Sequence, residues 1–135
     1  MTKFARLQTD VFSIFASNLW TAEGIKTYPQ NTVIIDKLNE FVRVSIVSSG
    51  EGLNKNSVSG LIIAEIFYPA GNGPSRGAAI ADKLDKHLSQ KSISTTSGAT
   101  TQLFVSSLVY NGVDRDNPSL VKSTFSIPFL HFGVQ

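Results

Sequence analysis

The strongest constraint in this chain is a strict two-residue alternation at positions 41 to 47, Phe-Val-Arg-Val-Ser-Ile-Val, followed after a polar break by a more apolar run at 58 to 68. A period of two marks a strand with one buried and one wetter face, so Val42, Val44 and Ile46 point one way and Phe41, Arg43 and Ser45 the other. In the second run Ile62, Ala64 and Ile66 share a face, while Ile63, Glu65 and Phe67 take the opposite one. Between them, residues 48 to 56 carry Gly50, Gly52 and Asn-Lys-Asn, a polar turn that joins the two runs as a long hairpin. The apolar face of such a hairpin has to be covered by another layer.

Two segments have the period to cover it. Phe4, Leu7, Val11, Ile14 and Phe15 fall on one face of a helix over residues 3 to 18, with Thr2 as its cap. Phe12, Ala5, Ala16 and Leu19 widen its apolar arc to roughly 200 degrees, leaving Arg6, Asp10, Ser13 and Ser17 on the polar side. An arc that wide fits a helix sunk between the sheet and a covering loop, or one whose excess meets a second subunit. Phe12, Leu19 and Trp20 are the candidate subunit-interface residues, with Phe4, Leu7, Val11 and Ile14 turned to the core. After an irregular connection from Trp20 to Asn39 and the hairpin, Pro69 ends the second strand, and Pro74 or Ser75 opens a helix to about Ser89. Its apolar face is Gly77, Ile80, Ala81, Leu84 and Leu88.

A Ser/Thr-rich loop at 89 to 101 leads to a strand from Gln102 to Tyr110, a turn at 111 to 118 and a last strand from Leu120 to about Phe132. Pro128 in that strand implies a sheet edge or a bulge, because proline gives no proton to a ladder. The expected architecture is α+β: an antiparallel four-stranded sheet with helices packed on one face, in the order α-β-β-α-β-β, as a single domain over 1–135. A chain of 135 residues holds one core and needs no cross-link. It contains no cysteine, which removes thiol chemistry and thiolate metal sites. Ser and Thr number 27, and only 16% of residues are charged, so the surface is expected to be rich in hydroxyls. Twelve basic against ten acidic side chains give +2, scattered singly, which is not the clustered charge of a phosphate-tracking surface. No apolar run approaches the roughly 20 residues of a bilayer span, so no membrane partner is expected. The first residues lack the apolar core of a cleaved secretion signal.

Three features of the sequence imitate chemistry. Gly73-Pro-Ser-Arg-Gly77 satisfies the G-x-S-x-G pattern between a strand and a helix, and Asp114 or Asp116 with His131 could complete a triad in the required order. A hydrolase of that kind needs a larger parallel sheet, and Pro74 suits a helix start better than a strained elbow, so Ser75 is read as a helix cap. Gly71, Gly73 and Gly77 imitate a phosphate loop, but no P-loop lysine follows, and Lys91 and Ser92 stand where a ribose-binding acid would be. These glycines are read as supplying positive φ in a tight turn. His87 and His131 have no carboxylate pair at ligand spacing, so no metal, cofactor or catalytic residue is assigned. Arg43 and Lys122 both occupy the polar phase of their strands and form a candidate partner-facing or channel-facing positive stripe.

The run Ile-Phe-Tyr-Pro-Ala-Gly-Asn-Gly-Pro-Ser-Arg-Gly-Ala-Ala-Ile-Ala-Asp-Lys-Leu at 66 to 84, with the closing Ser-Thr-Phe-Ser-Ile-Pro-Phe at 123 to 129, resembles the tail terminator and tail-completion proteins of long-tailed bacteriophages. The resemblance implies a structural virion protein without an active site, assembled in the host cytoplasm. It would form a ring, commonly of six copies, on the head-proximal end of the tail tube, end tube polymerisation and join the tail to the neck. Its partners would then be further copies of itself, the tail tube protein, a head-completion or neck protein, and double-stranded DNA passing through without specific binding. The alternative is a head-completion or other neck adaptor protein of the virion; the Ser75 hydrolase is a third reading.

Overall fold

The computed structural model describes residues 3–31, 40–48, 57–71, 73–94, 99–115 and 118–132. Thr2, the expected cap, and Asp116 lie outside them. Its spine is a pair of long antiparallel strands, β3 (Ser57–Pro69) and β7 (Leu120–Phe132), in register over their whole length. The hairpin partner β2 (Phe41–Ser48) lies on the other side of β3, with Arg43 opposite Glu65 and Val44 opposite Ala64. Helix α1 (Lys3–Ala16) and helix α3 (Ser75–Leu88) send Leu7, Val11 and Phe15, and Ile80, Ala81, Leu84 and Leu88, into one core with Val42, Val44, Ile62, Ala64, Ile66, Phe125, Ile127 and Phe129. Both helices therefore pack on one face of the sheet.

The sheet itself is not the expected four-stranded antiparallel one. Among the described residues it is a mixed sheet of seven strands curled into a half-barrel, in the order β1-β2-β3-β7-β5-β4, with β6 also on β7. The additional strands arise where sequence periodicity has no purchase. Strand β1 (Thr27–Pro29) is three residues long and joins β2 in parallel, inside the connection read as irregular. Strand β4 (Ser92–Ser94) is equally short and sits in the Ser/Thr-rich loop. Three residues cannot display a period, and such strands form because a neighbouring edge accepts them.

The expected strand at 102 to 110 is two strands in line, β5 (Thr100–Leu103) and β6 (Ser107–Val113), both antiparallel to β7. Pro128 causes the division. The N–H and C=O of one strand residue face the same edge, and the Pro128 carbonyl accepts from the Phe104 amide at 3.0 Å. Proline offers no N–H to return to the Phe104 carbonyl, which accepts instead from the Gln90 amide at 3.1 Å. Pro128 thus sits in the central strand at an interruption of its neighbour, and the chain leaves the ladder at 104–106 before rejoining as β6.

The first helix also ends earlier than its periodicity suggests. Ser17 has extended backbone angles, its hydroxyl donates to the Ile14 carbonyl at 2.6 Å, and its side chain caps a short helix α2 (Asn18–Thr21) by accepting from the Trp20 amide. The break turns Trp20 inward and Leu19 outward. Phe4, expected in the core, is 55% exposed. Asp10, expected on the solvent side, is fully buried.

Pro69 is followed by a turn in which Gly71 (φ 98°) and Gly73 (φ 73°) adopt the left-handed angles expected of them. Gly77 serves a different purpose: a Cβ there would lie 2.5 Å from Tyr68 Cε1. Tyr68 is buried and its hydroxyl pairs with Ser123 Oγ at 3.3 Å, so the ring cannot swing aside. Gly77→Val is expected to lift α3 from β3 at a cost of about 1–3 kcal/mol in urea unfolding. Unchanged stability would show that the helix is not held at that distance.

Candidate functional site

Four places combine chemistry with a defined geometry, and the first contains the residues singled out from the sequence. On the sheet face away from the helices, Arg43 donates from Nε at 3.1 Å and from Nη2 at 2.9 Å to Glu65 Oε1, and Lys122 donates from Nζ to Glu65 Oε2 at 3.1 Å. Strand pairing brings this about: Arg43 is directly opposite Glu65, and Lys122, opposite Phe67, reaches Glu65 on the diagonal. Burial alone would push the Glu65 carboxyl up, but the hydrogen bonds from Arg43 and Lys122 outweigh it and hold the group below its usual range. The Arg43 guanidinium also lies 5.5 Å from the centre of the Phe67 ring, which stacks on Phe41 at 4.5 Å. Phe41, Phe67, Leu120 and half-buried Tyr28 form a second small apolar cluster here. Arg43 and Lys122 do share a face, as their strand phases required, but they are bound to one carboxylate and leave the cluster at +1.

The second place is a groove of about 790 Å³ between the end of α1, α2, the end of α3 and β4. Ile14, Leu19 and Ile93 supply its apolar lining, and Glu23 and His87 a polar pair with Oε2 and Nε2 2.8 Å apart. The hydrogen bond with His87 is the main cause that lowers the Glu23 pKa, with burial working against it. Leu19 is 75% exposed and stands free for a contact, whereas Phe12 is half-buried. Trp20 is 1% exposed and belongs to the chain's own core. Its ring meets Phe15 and His87 edge-on at 5.4 and 5.3 Å, and its Nε1 donates to Thr27 Oγ1 at 2.9 Å. Of the three candidate interface residues, Leu19 alone has most of its surface exposed.

The third place was missed from the sequence. Asp10, Thr101 and His131 meet in the core: Thr101 Oγ1 donates to Asp10 Oδ2 at 2.8 Å and lies 2.7 Å from His131 Nδ1. A hydroxyl has one proton to give, so with that proton on Asp10 the second contact requires an N–H on His131 Nδ1. His131 Nε2 is buried with no hydrogen-bond partner among the described residues, so a doubly protonated ring would strand an N–H there. Burial accordingly lowers the His131 pKa; Asp10 opposes that shift and Arg6 adds to it. Nucleophile, base and acid residue types are present, but all three side chains are sealed from solvent, and the cluster's role is to tie α1 to β5 and β7. The only sequence signal was the position of Asp10 at the border of the polar side, one turn from Leu7 and Ile14.

The residues of the G-x-S-x-G pattern are not assembled into a triad. Ser75 is the exposed first residue of α3; the cap position is Pro74, which makes no side-chain cap bond, so Ser75 is not the cap expected from the sequence. Arg76 is held by Glu40, its Nε donating at 2.6 Å. His131 lies near the other end of β7 from the Leu120 end that adjoins Pro69, on the order of 30 Å along the strand. No group of three or more His, Asp or Glu side chains suited to a metal occurs among the described residues. No described helix is long and apolar enough to cross a membrane.

The fourth place is the outer edge of β6, where Leu108, Val109, Tyr110 and Val113 are all exposed.

No family model and no curated protein matches the sequence. The chain is similar in structure to a solved protein over 96% of its own length and 95% of the other's, with a TM-score of 0.67 at 11% identity. No function attaches to the name of that protein. At such an identity the likeness speaks for the fold alone.

Proposed function

We propose that this protein is a structural component of a long-tailed bacteriophage, a tail terminator that assembles as a ring on the head-proximal end of the tail tube. The observation that carries the reading is the adjacency of the two segments on which the resemblance rests. Residues 66 to 69, the glycine turn and α3 form one run; Ile66 stands opposite Ser123, the first residue of the closing segment, and the apolar face of α3 shares one core with that segment's Phe125, Ile127 and Phe129. Separated in sequence, the two segments form one structural unit.

A ring demands a heterologous contact repeated until it closes, which is a demand on surface patches such as the one around Leu19. A conduit for DNA should hold it weakly, and the Arg43–Glu65–Lys122 cluster, with one carboxylate offsetting two cations, suits that requirement. The test is to mix the purified chain with tail tubes and with portal-bearing heads and to image both. Caps on tube ends support the reading; binding to heads alone transfers it to a head-completion or neck adaptor role. The double variant Arg43→Ala, Lys122→Ala is expected to lower DNA retention by less than about tenfold while capping persists. Loss of all DNA retention would mean that the cluster is a dedicated DNA site.

A further inference from the structure

We propose that the outer edge of β6 is the attachment site for a second copy of this chain, joined strand to strand. Among the described residues three strands have an outer edge, and they differ. On β1 the amide of Gln30 and the carbonyl of Lys26 are turned to β2, so by alternation Thr27 and Pro29 face outward, and Pro29 has no proton to donate. Strand β4 has only three residues. Strand β6 has seven, with no proline and no charged side chain, although edge strands are ordinarily guarded by one or the other.

The outward backbone groups of β6 follow from its pairing. Pro128 and Leu120 both turn their carbonyls toward the β5 and β6 side of β7, accepting from Phe104 and Asp114, so Ser126 and Thr124 face that side as well. Their partners Ser107 and Val109 therefore point inward, and Leu108 and Tyr110 direct their N–H and C=O away from the sheet. No hydrogen bond is made by these outward groups among the described residues. Two copies of β6 placed antiparallel about a two-fold axis through Val109 would set Leu108 of each against Tyr110 of the other. Both residues expose the groups that a hydrogen-bonded pair exchanges. In that register Val109 meets Val109, and no residue from Ser107 to Val113 is charged.

The flanks of the edge agree. Val109 is 56% and Tyr110 60% exposed, and with Leu108 and Val113 they line the edge with apolar side chains on both faces of the sheet. A foreign partner recognised by charge would find none between Phe104 and Val113, whereas the chain's own edge matches it in length, polarity and hydrogen-bond phase. The inference goes beyond the ring reading and does not rest on it. A two-fold contact closes at two copies, and a ring would need a second, heterologous surface.

The experiment is light scattering coupled to size exclusion at 10 to 100 μM on the full chain and on Val109→Lys and Tyr110→Lys, with circular dichroism to verify the fold. Both positions are exposed, so the variants are expected to fold, and Val47→Lys, at an exposed site on β2, is the control. The expected result is association of the wild type and the control and at least a tenfold rise in the dissociation constant for both β6 variants. A monomeric wild type at 100 μM would overturn the proposal, as would β6 variants that associate as well as the wild type. If the β6 variants lose their fold, hydrogen exchange on the wild type decides: protection of the Leu108 and Tyr110 amides that grows with concentration supports the contact, and fast exchange throughout refutes it. Tube capping is scored separately, so failure of the ring reading leaves this result intact, and the reverse holds.

Discussion

Trp20→Ala is expected to cost about 3–5 kcal/mol, which for a chain of this size lowers the melting temperature by roughly 10–20 °C. Trp20 is the largest side chain in the core and joins three elements besides its own: α1 through Phe15, α3 through His87 and β1 through the hydroxyl of Thr27. Truncation removes the ring's burial, leaves a cavity between the helices and takes away the donor for Thr27. Trp20→Phe should recover most of the packing and not the hydrogen bond, giving a loss of about 1–2 kcal/mol. Urea unfolding measures both. A Trp20→Ala variant with wild-type stability and impaired self-association would return this residue to the interface role that the width of the helical arc suggested.

Asp10→Ala is expected to cost about 2–4 kcal/mol, because it removes a buried acceptor from Thr101 and a negative charge beside His131. The same cluster sets a pH dependence. The unfolded chain titrates the imidazole near its ordinary 6.5, whereas the folded protein keeps His131 neutral to a lower pH. Below about 6.5 the unfolded state takes up the proton first, so stability is full above that pH and declines as pH falls toward the folded value. His131→Gln should flatten this portion of the profile. A second decline belongs to Glu23, Glu40 and Glu65, whose folded pKa values lie below 4.5. Their contribution is present above 4.5 and is lost as pH falls through the depressed values. Urea midpoints between pH 3 and 8 separate the two windows; a flat profile between pH 7 and 5, or an unchanged slope in His131→Gln, would contradict the assignment to His131.

Long elements with strong periodicity were legible. The strand at 120 to 132, the hairpin of β2 and β3 with its two faces, and the apolar face of α3 all follow from spacing, because a thirteen-residue strand or a fourteen-residue helix repeats its pattern enough times to declare its phase. The sharing of a face by Arg43 and Lys122 was legible for the same reason. Their common partner was not, since which residue stands opposite another depends on strand register, and Glu65 comes between them only when β2, β3 and β7 are laid side by side.

Other features had no local signature. Ser17 reads as one more polar residue on a helix, yet its hydroxyl ends α1 and caps α2, and that single break sends Trp20 into the core and Leu19 to the surface. Asp10 reads as solvent-facing, but Thr101 and His131, remote in sequence, satisfy it in the interior. Pro128 was recognisable as a disturbance, but only pairing determined that it divides the neighbouring strand into β5 and β6.

By itself, then, the sequence determined the long strands, the two main helices and the buried face of α3, because those depend on a period internal to each segment. The tertiary structure alone decided that, among the described residues, the sheet has seven strands with a parallel edge instead of four, that an aspartate and a histidine close over one threonine, and that no described strand pairs with the outer edge of an uncharged strand. Each of these depends on contacts between residues far apart in the chain, and such contacts leave no periodic trace in either partner's own segment.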